Sequence, residues 1–174
     1  MIKIELKPLE GIVIENLGGV SLGQSRQNVE RLLGPPSESY SAGSAFYKQY
    51  ELRIDFDNFG KAEFIEFIYG PFPERTVLSI YGINPFTIGA EKLVEVLTEH
   101  NDGEVDLTEA ELAYVFLEIS VGIWRQFTQQ DVEEGIAQRK LNGTYEFNKS
   151  SIEDDLEISK NFGTIGLGVV DYYR

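Results

Sequence analysis

Gly19-Val20-Ser21-Leu22-Gly23 matches G-x-S-x-G, the pattern that holds a nucleophilic serine on a sharp turn between a strand and a helix. A hydrolase of that kind needs an acid and then a histidine further along the chain. His100 is the only histidine in 174 residues, and it opens an acidic stretch. Ser21 therefore reads as a turn residue, with a hydrolase using Ser21 or an unrecognised carboxylate pair as the alternative. The 29 carboxylates supply candidates for acid–base work, but their spacing selects no two of them. Asn101-Asp102-Gly103-Glu104-Val105-Asp106 gathers oxygen ligands without the distal bidentate glutamate of a calcium loop, so a solvated loop is expected and no metal site. There is no cysteine, which removes thiolate metal sites and thiol nucleophiles. Gly163, Gly166 and Gly168 have no helix after them, so they do not form a phosphate loop. The reading is a non-catalytic chain with no cofactor.

Binding chemistry remains. Tyr47, Tyr50, Phe59, Trp124, Tyr172 and Tyr173 fall on expected strands or a hairpin tip. Aromatic residues at such positions mostly pack into a core, whereas Phe59 at a tip is hard to bury. Phe59 and Trp124 are the candidate anchors for a partner. The second candidate group is acidic: Asp131, Glu133, Glu134, Asp154 and Asp155, on two expected helices. The whole chain carries 15 basic and 29 acidic side chains, a net of −14, and residues 74–174 account for −11 of it. Such a surface repels nucleic-acid phosphates and anionic lipid and favours a basic protein partner.

The elements that must position these residues are legible in part. Met1 to Lys7 alternates as a strand and lacks the apolar core of a signal peptide, and no apolar run approaches the roughly 20 residues that span a bilayer, so the cytoplasm is the expected setting. Gly11 to Leu17 reads as a second strand. Ser25 can cap a helix in which Val29, Leu32 and Leu33 form one apolar stripe, and Gly34-Pro35-Pro36 ends it. Residues 37–44 read as a polar loop. Leu52 to Phe56 alternates strictly, Asp57-Asn58-Phe59-Gly60 is a hairpin turn, and Lys61 to Tyr69 is the returning strand. Tyr114 to Trp124 reads as one long strand after an acidic loop with a short helix near 107–112. Thr128-x-x-Asp131 starts an acidic helix, Ser151 to Lys160 is another, and 162–173 is a glycine-laced final strand.

The pattern repeats at an offset of 66 residues. Phe86-Thr87-Ile88-Gly89 echoes Val20-Ser21-Leu22-Gly23, and Leu93, Val96 and Leu97 restore the helical stripe. The fold class expected is α+β: tandem duplicated helix-plus-antiparallel-sheet units, 1–73 and 74–174, with a shared core and the helices on one face of the sheet.

The run Val20-Ser21-Leu22-Gly23-Gln24-Ser25, Val29 and Leu32-Leu33-Gly34-Pro35-Pro36, followed by a hairpin, resembles a superfamily of small helix-plus-sheet units. That superfamily includes the secreted β-lactamase inhibitor protein and SmpA-type outer-membrane assembly lipoproteins. The tandem copy is similar to the inhibitor, itself a duplication. The ending Thr164-Ile165-Gly166-Leu167-Gly168-Val169 with Tyr172-Tyr173 resembles cytoplasmic immunity-type proteins of Gram-positive bacteria. The chain departs from the secreted relatives in lacking cysteines and an export signal. The resemblance implies a protein-binding module, an inhibitor or immunity protein that masks a basic partner. A structural or assembly subunit, as a homo-oligomer, is the other reading.

Overall fold

The computed structural model describes residues 1–41 and 43–174. Three antiparallel strands open the chain: β1 (Ile2–Lys7), β2 (Gly11–Ile14) and β3 (Gly18–Ser21). Helix α1 (Arg26–Leu33) follows, with Val29 and Leu33 buried and Leu32 half-buried. Ser25 holds the N-cap position, but its side chain makes no capping bond; its carbonyl accepts from the Asn28 and Val29 amides instead. Gly34, at a φ of 83°, turns the chain out of the helix.

Four strands come next: β4 (Glu38–Ser41), β5 (Ser44–Tyr47), β6 (Leu52–Phe56) and β7 (Ala62–Phe67). The loop expected over 37–44 is largely strand, since β4 pairs with β5 from Glu38 opposite Phe46 to Ser41 opposite Ser44; Ala42 in that stretch lies outside the described residues. Serine-rich sequence has little strand preference of its own, and pairing with a neighbour decides the matter.

The second half runs β8 (Thr76–Ser79), α2 (Ala90–Asn101), β9 (Val105–Asp106), β10 (Ala113–Phe116), β11 (Val121–Trp124), α3 (Gln129–Leu141), a 3-10 turn (Glu146–Asn148), α4 (Lys149–Ser159) and β12 (Thr164–Gly168). The long strand expected over 114–124 is a hairpin instead, turning at Leu117–Ser120 with Ser120 at a φ of 48°. Ile119 is buried within the turn, so the apolar alternation runs on through it and hides the break. The short helix expected near 107–112 is a set of turns.

Two sheets result. One has the order β3-β2-β1-β8, with β1 and β8 parallel. The other is an eight-stranded antiparallel sheet in the order β4-β5-β6-β7-β12-β11-β10-β9. The four strands after α1 fill one half of it and the four after α2 fill the other. They meet where Ile65 faces Leu167 and Phe67 faces Ile165.

A single buried cluster joins the two sheets and the helices α1 and α2. It takes Ile4, Leu6 and Leu78 from the smaller sheet, Val29 and Leu93 from the helices, and Ile54, Ile65, Ile123 and Ile165 from the larger sheet. Strand alternation therefore turns Arg53, Asp55, Phe64, Glu66 and Trp124 to the other face of the eight-stranded sheet, away from the helices.

Candidate functional site

The residues picked from sequence fall in two places. Phe59 stands at the tip of the β6–β7 hairpin, 88% exposed. Its turn is fixed by Asp57, whose Oδ1 accepts from the Phe59 and Lys61 amides, each at 2.8 Å. Trp124 stands at the opposite end of the sheet. It pairs with Thr164, one step beyond the level at which Ile165 faces Phe67. From Ala62, where β7 leaves the Phe59 turn, to the level of Trp124 is six strand steps, about 20 Å at the usual rise. Phe59 and Trp124 do not form one patch.

Trp124 lies at the root of the acidic helices. Five residues later the chain enters α3 through a capping box: the Thr128 hydroxyl accepts from the Asp131 amide at 3.1 Å, and Asp131 Oδ2 accepts from the Thr128 amide at 2.7 Å. The Thr128 amide and, at 2.8 Å, the Thr128 hydroxyl both donate to Oδ2 and hold the Asp131 carboxyl below the ordinary aspartate range. Asp131 Oδ2 thus caps its own helix while the residue stays exposed. Glu133 and Glu134 accept from Gln129 and Gln130 on the exposed surface of α3, and Asp154 is exposed on α4. Asp155 is half-buried, lining a small cleft between the helices with Arg139 and Ile152.

The packing of this hairpin is lopsided. Helix α4 buries Ile152, 1% exposed, in the cleft that it shares with Val132 and Gly135 of α3. Helix α3 buries none of its 13 residues. Residues 129–159 hold eight acids against three bases, and the connection between the helices leaves Leu141 and Phe147 bare. Phe147, at 89% exposure, is as open as Phe59, and nothing in its local pattern marks it as a tip.

Beside Trp124 the sheet surface holds groups that sequence reasoning missed. Arg53 Nη2 bridges Asp55 at 3.1 Å and Glu66 at 3.2 Å. One cation therefore serves two carboxylates, and Asp55 Oδ1 is buried without a hydrogen-bond partner. Burial raises the Glu66 pKa above its ordinary value; Arg53 partly offsets this and Asp55 adds to it. The cross-strand pairing of Arg53 with Glu66 follows from the alternation and the hairpin turn, so this cluster was available in the sequence. The chain end was not. After β12 it folds back, so that the Tyr172 ring stacks on Phe64 at 4.6 Å and Tyr173 meets both rings edge-on. Gly122, Gly166 and Gly168 make room for it, since a Cβ at any of them would collide with Phe64, Tyr172 or Tyr173. The final strand expected over 162–173 thus stops at Gly168.

The residues weighed for catalysis are placed apart from each other's bonding reach. Ser21 ends edge strand β3, its amide donating to Gln24 Oε1 at 2.8 Å, and four residues separate it from α1. The His100 ring lies on Tyr81 at 3.7 Å, with Nδ1 2.8 Å from the Val96 carbonyl. Asp106 accepts from the Thr108 amide and hydroxyl. Among the described residues no three His, Cys, Asp or Glu side chains are grouped to hold a metal, and no helix is long and apolar enough to cross a membrane.

Comparison of the chain with protein-family models, curated proteins and solved structures returns no match.

Proposed function

We propose that the chain is a non-catalytic protein-binding module, an inhibitor or immunity protein that masks a basic protein partner in the cytoplasm. The observation that carries the reading is α3: a capped helix with no fully buried residue, whose Glu133 and Glu134 stand exposed. Its apolar residues Val132 and Ile136 are only half-buried, so it contributes little to the core, and its exposed carboxylates favour a role at the surface. Glu133, Glu134 and Asp154 would steer a cationic partner, and Trp124 at the root of the hairpin would be the desolvated anchor. Phe59, at the far end of the sheet, lies outside this patch.

The reading includes a duplicated architecture similar to that of the β-lactamase-inhibitor superfamily. The strand order supports it: β4-β5-β6-β7 and β9-β10-β11-β12 occupy matching places on either side of the β7–β12 seam, each set after its own helix. On that correspondence the α3–α4 hairpin takes the place of the Phe59 turn, as an elaboration of the second unit.

The test is affinity capture from the native cell with two baits, the unaltered chain and a chain carrying E133K, E134K and D154K. The reading predicts a basic protein retained by the first bait and largely lost from the second. An acidic protein retained equally by both would reject it.

A further inference from the structure

We propose that the sheet face beside Trp124 holds a binding site for a single cationic side chain, the ammonium of a lysine or the guanidinium of an arginine on the basic partner. The inference rests on the protein-binding reading above and names where that partner would be gripped.

The site is a cavity of about 200 Å³ whose lining includes Phe64, Glu66, Trp124 and Tyr173, with Gly122 and Gly166 in its floor. Each part has a physical consequence. Gly122 and Gly166 let the Tyr173 and Phe64 rings pack down onto the sheet, where they wall the cavity. Phe64 is covered by the stacked Tyr172 ring, and Trp124, 43% exposed, supplies the aromatic surface whose quadrupole attracts a cation and whose area takes up the aliphatic stem of a lysine or arginine. Glu66 supplies a carboxylate whose side chain is only 18% exposed. Among the described residues its one ion-pair partner, Arg53, is shared with Asp55, so this part of the face keeps an excess negative charge. An arriving cation completes a cluster of two acids and two bases. The acidic hairpin, entered five residues after Trp124, adds negative charge to the same end of the sheet, which draws cations there.

Trp124 is the only tryptophan and lines this cavity, so its fluorescence reports on binding there. The probes are a lysine capped at both ends, with a free ε-ammonium, and its norleucine counterpart, which has a stem of similar length and no charge. The unaltered chain should show a saturable fluorescence change with the capped lysine at millimolar concentration and none with the norleucine compound. In E66Q, which keeps the side-chain volume, the affinity should fall about tenfold, the equivalent of one moderate charge interaction. A response to both probes alike, no saturable response to either, or an unchanged affinity in E66Q would overturn the site. The comparison of the two probes on the unaltered chain needs no variant to fold. Polylysine at low salt separates this outcome from the wider reading. Binding that E133K/E134K/D154K abolishes and E66Q leaves intact would remove the cavity site while sparing the acidic surface.

Discussion

The carboxylate of Glu51 clamps Thr76: its Oε2 accepts the Thr76 hydroxyl at 2.6 Å and the Thr76 amide at 3.0 Å. Its Oε1 accepts the Glu74 and Arg75 amides at 2.7 and 3.1 Å. Glu51 is 4% exposed and sits at a φ of 53° after β5, yet it determines where β8 enters the smaller sheet. A buried carboxylate with four donors is a strong joint, because each charge-assisted bond exceeds a neutral one and each orphaned amide carries a penalty. Glu51→Ala should cost about 3 kcal/mol in chemical denaturation, as expected for breaking a buried hydrogen-bonded charge. A loss within about 0.5 kcal/mol, the range of ordinary surface changes, would show that the clamp is incidental.

The same joint bears on division of the chain. Strands β1 and β8, and β7 and β12, pair across the boundary at residue 73, and one buried cluster draws on both sides of it. Fragments 1–73 and 74–174, expressed separately, should each lack a cooperative melting transition. Two fragments that each melt cooperatively would refute the shared core.

Stability of α3 should depend on pH through Asp131. Its pKa is lowered in the folded chain, so its contribution is present above the unfolded aspartate value and is lost as pH falls through the folded value. Amide exchange in α3 should therefore accelerate in acid before exchange in β7 or β12 does. Replacing Thr128 by alanine removes the hydroxyl but keeps the amide, the larger cause, so the Asp131 titration, followed by NMR, should move only part of the way to the ordinary value.

Much of this fold could be read before the structure was seen. The stripes Val29/Leu33 and Leu93/Leu97 marked both core helices, because a helix laid on a sheet must repeat its apolar residues every three or four positions. The Thr128–Asp131 box marked the start of α3, because both partners of a capping box lie within four residues. Signals that depend on distant chain were silent. Strand β4 exists because β5 pairs with it, and the Leu117–Ser120 turn keeps the apolar alternation of the strands around it. The glycines of β11 and β12 were visible as residues, but their purpose lies in Tyr172 and Tyr173 folding back over them. For the candidate site, composition gave the acidic surface, while the separation of Phe59 from Trp124 needed the strand register.

Those glycines give a direct packing test. A Cβ at Gly166 would clash with the Phe64 ring, which is stacked under Tyr172. Gly166→Ala should destabilise the chain by about 1–3 kcal/mol, the usual range for overpacking. It should also loosen the chain end, seen as sharper NMR signals from Tyr172 and Tyr173. An unchanged melting temperature with unchanged ring signals would mean that the trough has slack.

The central claim is that a basic partner is drawn in by the acidic hairpin and held at Trp124. Stopped-flow kinetics with the captured partner, across a range of ionic strength, tests it most directly. The association rate should fall steeply with added salt, and E133K/E134K/D154K should lower it about tenfold at low salt and flatten its salt dependence. Trp124→Ala should leave association nearly unchanged and speed dissociation, while Phe59→Ala alters neither rate. Association indifferent both to salt and to the charge reversal, with dissociation unaffected by loss of Trp124, would contradict the account.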